Sequence, residues 1–226
     1  MILVPRRLKT WLAVALGSAL LATAIFVGYG YYLRWEAREL LNDVFALTSA
    51  SNTNNPFALL RQKYGDRMTA VACSGELCSY QMTVSNHLLS ALPRIPYTEL
   101  NVRFEQPSKP FYLVIVDYRS ALSHGNSPAV HVQTDFCTAN CGNFDMFYVH
   151  PWDQSSTPER WSGSIEMGHT TTSELRQAAL SLNTDCLTRI HGCTDIAQLL
   201  PEVWRPSEDG IRCVLANRTG RVRPSQ

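Results

Sequence analysis

The chain has 226 residues, 45% hydrophobic and 17% charged, and its 20 basic and 19 acidic side chains leave a net charge of +1. That length suits one domain with additions. So small a charge supplies no field for nucleic acid or a strongly charged partner, and no nucleic-acid role is expected.

Residues 1–9 carry Arg6, Arg7 and Lys9, and Thr10 to Leu33 then runs without a charge. A helix rises 1.5 Å per residue, so about 20 residues cross the hydrocarbon of a bilayer. Residues 10–33 are therefore read as a transmembrane helix whose partner is lipid. The positive flank is N-terminal, which keeps residues 1–9 in the cytoplasm and sends the rest outside. Trp11 at one end and Tyr29, Tyr31, Tyr32 and Trp35 at the other suit the headgroup region. Ala22-Thr23-Ala24 resembles a signal-peptidase site, but apolar sequence continues past it through Ile25, Phe26 and Val27. An uncleaved signal-anchor is the preferred reading. The expected location is the cytoplasmic membrane, single-pass, with the C-terminal domain outside.

Residues 34–66 read as a helical connector. Leu33, Ala37, Leu40, Val44 and Leu47 recur at helical steps, in a helix either continuous with the span or hinged at Gly28 and Gly30. Residues 49–55 break the pattern, and Pro56 opens a short helix with Phe57, Leu60 and Tyr64 on one side.

Residues 67–213 form the expected exported domain. Alternation in 78–84, 100–105 and 130–136 predicts half-buried strands of an antiparallel sheet. The continuously apolar 111–118 is the expected central strand, with 144–149 and 161–167 as further candidates. Turns are expected at 107–110 and 124–128. Thr171 and Glu174 offer a capping box for a late helix through Leu175, Ala179, Leu182, Cys186 and Ile190. Gly192 is a natural C′ residue, and Asp195 a natural cap for a helix over 196–200. Strands set between helices give an α+β fold with helices packed on the sheet. Residues 214–226 read as a mobile Arg-rich tail.

Six of the seven cysteines come as close couples: Cys73 with Cys78, Cys137 with Cys141, and Cys186 with Cys193. An oxidising compartment favours disulfides, and none of the couples has the C-x-x-C spacing of a redox centre or a zinc knuckle. All six are therefore disulfide candidates, with Cys213 left unpaired. The alternative pairing of Cys137 with Cys213 stays open. A zinc site on Cys137 and Cys141 with His131 or His150 lacks a second ligand couple, so no metal and no cofactor is expected.

Catalytic motifs are missing. There is no G-x-S-x-G, no phosphate-binding loop and no H-E-x-x-H. His169 sits in a helix-cap context. His150 and Asp153 lack a located nucleophile. Asp117 ends an apolar strand beside Arg119. Trp152, Trp161 and Trp204 can line a groove, although such residues more often fill a core. No catalytic residue is assigned.

"CSGELCSYQMTVSN" (73–86) and "TDCLTRIHGCTDIAQLLPEVW" (184–204) resemble parts of uncharacterised bacterial single-pass membrane proteins with an exported cysteine-containing domain. The resemblance implies envelope placement and no catalytic residue. It also implies that glycine replaces His191 in relatives, so His191 is not a ligand. The expectation is a membrane-anchored extracytoplasmic binding or scaffolding module, with an envelope protein as a possible partner. The alternative is an exported hydrolase.

Overall fold

A computed structural model describes residues 6–49, 56–74, 77–92, 95, 97–108, 111–121, 129–137, 147–151, 162–168, 171–190, 192–207 and 210–213. Helix α1 (Arg6–Ser49) runs unbroken for 44 residues, about 66 Å, so the alternative of a hinge at Gly28 and Gly30 is not realised. Its two halves differ. An 18-residue apolar window in the first half has mean hydropathy 2.0 and none of it is buried, so the helix is long and apolar enough to cross a membrane. In the second half Leu33, Ala37, Leu40, Leu41, Val44 and Leu47 are buried in one hydrophobic core with the strands. The side chains repeat with the helical period, which sets a continuous stripe against the sheet.

Helix α2 (Pro56–Tyr64) and a 3₁₀ turn (Gly65–Arg67) return along α1. Leu60 and Tyr64 join the core. At its edge Lys63 pairs with Glu39 at 2.8 Å and Asp43 at 2.6 Å, the Tyr64 hydroxyl donates to Asp43, and Arg67 pairs with the buried Glu36. The bonds to Asp43 and Glu39 hold the Lys63 ammonium charged well above its ordinary range.

Strands β1 (Thr69–Ser74), β2 (Leu77–Ser85), β3 (Tyr97–Ser108), β4 (Phe111–Ala121), β5 (Ala129–Cys137), β6 (Phe147–Pro151) and β7 (Ser162–Met167) make one sheet in the order β1-β2-β3-β4-β5-β7-β6. The apolar strand β4 is central, as its sequence predicts. The expectation of a purely antiparallel sheet is corrected: β7 lies parallel to β5, and β6 is placed outside it as the edge. The chain passes over one strand position before returning, so the sheet is mixed. A short helix α3 (His87–Ser90) links β2 to β3, with Asn86 capping it through Leu88 N–H and Leu89 N–H.

Helix α4 (Ser173–Leu180) is shorter than the 171–190 periodicity predicts. Thr172, rather than Thr171, is its N-cap and accepts from Leu175 N–H. The helix stops because Ser181 turns out of the helical region and Asn183 caps a separate 3₁₀ turn (Thr184–Leu187) through Asp185 N–H. Ser181, Asn183, Thr184 and Asp185, interrupted only by Leu182, offer the backbone side-chain partners that compete with helix. Helix α5 (Ile196–Leu199) has the Asp195 cap its sequence predicts, followed by the hairpin β8 (Trp204–Ser207) and β9 (Gly210–Cys213). Trp204 is wholly buried in the core.

The second half of α1, α4, the 3₁₀ turn and α5 share the core with the inward residues of the strands: Leu100, Val102 and Phe104, Val114 and Val116, Val130 and Val132, Ile165 and Met167. The reverse face carries mainly polar residues at partial exposure. Gly192 has φ of +64°, and a Cβ there would lie 2.2 Å from the hydroxyl of buried Thr98. Gly192→Ala therefore loses at least about 1–2 kcal/mol from the left-handed backbone alone, with the collision added, as denaturant unfolding will measure.

Candidate functional site

The polar face is organised by register. Thr83 faces Asn101, Asn101 faces Asp117, Asp117 faces His131, His131 faces Ser164, and Ser164 faces His150. Side chains at facing positions share one side of a sheet, so the row from Thr83 to Ser164 crosses β2, β3, β4, β5 and β7, and the ladder register continues to His150 in β6. The Thr83 hydroxyl donates to Asn101 Oδ1 at 2.6 Å, and Gln81 Nε2 donates to the same oxygen at 3.2 Å.

His131 Nδ1 lies 2.7 Å from Asp117 Oδ1. An ionised carboxylate only accepts, so Nδ1 carries the proton and the ring is held in one orientation. The bond to Asp117 raises the His131 pKa above its usual 6.5, against an opposing effect of burial, with smaller help from Gln133 and Glu166. A cleft of about 470 Å³ opens over the pair and is lined by Asp117, Arg119, His131, Ser164 and Glu166. Arg119 also approaches Glu99 at 3.9 Å. The cleft thus offers two carboxylates, one cation, a hydroxyl and a titrating imidazole, a set suited to a polar ligand of mixed hydrogen-bonding character. Among the described residues no three His, Cys, Asp or Glu side chains converge as metal ligands.

Asp117→Asn removes the charge that stabilises the imidazolium. The His131 titration, followed through its ring protons by NMR, should then move down towards 6.5. The sign for stability follows from the raised folded-state value. The contribution of His131 is complete below its unfolded pKa and disappears as pH rises through the folded one. The His131 and Asp117 side chains are 41% and 34% exposed, so solvent screening keeps that contribution small.

Sequence reasoning reached this site only in part. The sequence sets Asp117 beside Arg119 at a strand end, whereas it pairs with His131 across the sheet. From spacing alone His131 is only an optional zinc ligand beside Cys137 and Cys141, whereas its partner is Asp117. Ser164 and Glu166 carried no signal beyond a weak strand. Their shared face follows from alternation along β7, but their approach to His131 needs the parallel pairing.

Cys186 and Cys193 form a disulfide with Cα atoms 5.1 Å apart. Cys73 is disulfide-bonded, and Cys78 is the residue facing it in the ladder. Cys137 ends β5 opposite Phe111, and Cys213 ends β9 opposite Trp204. His150 lies in β6. Cys141, Trp152, Asp153, Trp161, His169, His191 and the 214–226 tail lie outside the described residues. Trp204 belongs to the core and lines no groove.

No family model, curated protein or solved structure matches the chain.

Proposed function

We propose that this chain is a single-pass membrane protein whose folded domain is a binding or scaffolding module on the outer side of the cytoplasmic membrane. One observation carries the reading. The first half of α1 is apolar all round and unburied, while the second half of the same helix is buried in the domain core. Apolar surface of that extent is stable in lipid and costly in water. Arg6, Arg7 and Lys9 keep the N-terminus inside. The Cys186–Cys193 disulfide accords with an oxidising compartment. The open polar face and its cleft over Asp117 and His131 are the ligand surface of the module.

The test is topological. In bacterial cells producing the full chain, the protein should remain in the membrane pellet after alkaline carbonate. Protease added to spheroplasts should digest the domain. Release by carbonate removes the anchor, and digestion only after the membrane is broken reverses the orientation.

A second reading, an exported hydrolase, draws on the Asp117–His131–Ser164 row, whose order matches an acid, base and nucleophile. It is the weaker one. Ser164 sits between two hydrogen-bonded neighbours, β5 and β6, so the backbone N–H groups around it serve the ladders and are not free to hold an oxyanion. Labelling by a fluorophosphonate that is lost in Ser164→Ala would reverse this preference.

A further inference from the structure

The segment around the 3₁₀ turn descends along α1 towards its apolar half. Arg38 Nε donates to the Thr184 hydroxyl at 3.1 Å. One turn nearer the N-terminus, Arg34 donates to the Thr188 hydroxyl at 3.0 Å and pairs with Asp185 at 3.1 Å. One turn further, Gly30 lies so close to Thr188 that a Cβ on it would touch the methyl at 3.4 Å. Arg38 to Gly30 is eight residues, about 12 Å of helix. The next residues of the segment, Arg189 and Ile190, are exposed, and they directly follow Thr188, whose neighbour Gly30 is the first buried residue of α1.

A second segment reaches the same level. The backbone N–H of His87 donates to the Tyr29 hydroxyl at 3.4 Å, and Asn86 Nδ2 donates to Leu187 O at 3.3 Å. Helical side chains lean towards the N-terminus, so the Tyr29 hydroxyl, and α3 with it, sits lower than the Tyr29 backbone. Around this point Ile190 is 60% exposed, Leu88 41% and Leu92 44%. Isolated exposed leucines need no explanation. These three instead belong to the two segments that touch α1 at Tyr29 and Gly30, where its burial begins, and Tyr31, Tyr32 and Trp35 of the helix are exposed at the same level.

We infer that the underside of the domain, built by α3 and the 188–190 tip around the emerging helix, is a seat on the bilayer surface. Leu88, Leu92 and Ile190 enter the headgroup region and Arg189 lies among the headgroups above them. The inference rests on the reading that the first half of α1 crosses the membrane. No spacer separates the span from the core, since burial on α1 begins at Gly30. The domain therefore meets lipid directly, and amphipathic side chains at that depth are stabilised by it.

The experiment uses the full chain in lipid nanodiscs with p-benzoylphenylalanine placed singly at Leu88, Leu92, Ile190, Leu20 or Val71, followed by irradiation and mass analysis for attached lipid. Leu20 lies within the apolar half of α1. Val71 is 51% exposed on β1, opposite Ser79 and Tyr80 and so six to seven residues along β2 from Asn86, about 22 Å away. Positions 88, 92 and 190 should take up lipid within a few-fold of position 20 and at least ten-fold above position 71. Lipid at 20 but none at 88, 92 and 190 overturns the seat and leaves the anchor. No lipid at 20 overturns the anchor and the seat together. Equal yield at 71 shows unspecific adsorption and also overturns the seat.

Discussion

A chain beginning at Tyr29 should fold and unfold cooperatively in solution, whereas one beginning after Ser49 should not fold. The first loses only the unburied half of α1. The second loses Leu33, Leu40, Leu41, Val44 and Leu47, all buried in the common core, together with Ala37. Burying one such side chain is worth about 1.5–3 kcal/mol, so the five large ones together supply on the order of 8–15 kcal/mol. That equals the whole stability of an ordinary domain, about 5–15 kcal/mol. The longer truncation also uncovers the sheet face those side chains touch and frees Lys63 and Arg67 from Glu39, Asp43 and Glu36. Near-ultraviolet circular dichroism and thermal unfolding of the two chains decide the matter. A cooperative transition in the shorter chain at the temperature of the longer one would show that α1 is dispensable to the core.

The second large effect concerns the bridge between Cys186 and Cys193. It closes a short loop, with a sequence separation of 7, around the left-handed turn at Gly192. Opening a loop of that length costs about 2.5 kcal/mol through the unfolded chain. For a chain of this size, the double substitution Cys186→Ala and Cys193→Ala should lower the melting temperature by about 5–10 °C. Both sulfurs are buried, so alanine leaves small voids that add to the loss. The loop carries Thr188 and Asp185 directly precedes it; both hold Arg34, so the loosening should reach α1. Amide exchange at Thr188 and Arg189 should quicken in the variant. A melting temperature within a degree of the parent would mean that packing alone holds the turn.

The two halves of α1 were legible because each rests on a local pattern: an uncharged run, then apolar residues at three- and four-residue steps. Strands β3, β4 and β5 were legible for the same reason, since alternation is a local consequence of half-burial. What escaped was non-local. The parallel pairing of β5 with β7 depends on β6 being passed over, and no residue in β5 or β7 announces it. The late helix reads longer in sequence than it is, because Leu182 and Cys186 keep helical spacing while the backbone between them does not. The Asp117–His131 pair depends on the midpoint of the β4–β5 connection. Centring the turn on 124–128 sets Asp117 against Asp135. The observed register centres two residues earlier and sets it against His131. A shift of two residues leaves every side chain on its proper face, so burial patterns cannot detect it. It does exchange a like-charged neighbour for a hydrogen-bonding one, and that is the difference between a plain surface and the candidate site.

If the domain is the binding module proposed above, the unbroken course of α1 also governs how it would meet a ligand. A flexible tether of twenty residues would let a module sweep roughly 25 Å from its point of attachment. A single helix that enters the core without a joint allows no such search. The capture radius of such a module would then be the domain's own dimensions, with its azimuth locked to the helix. On that reading a partner would have to arrive at the polar face by lateral or bulk diffusion, already at the right height, and selection would fall on neighbours whose own geometry matches a fixed platform.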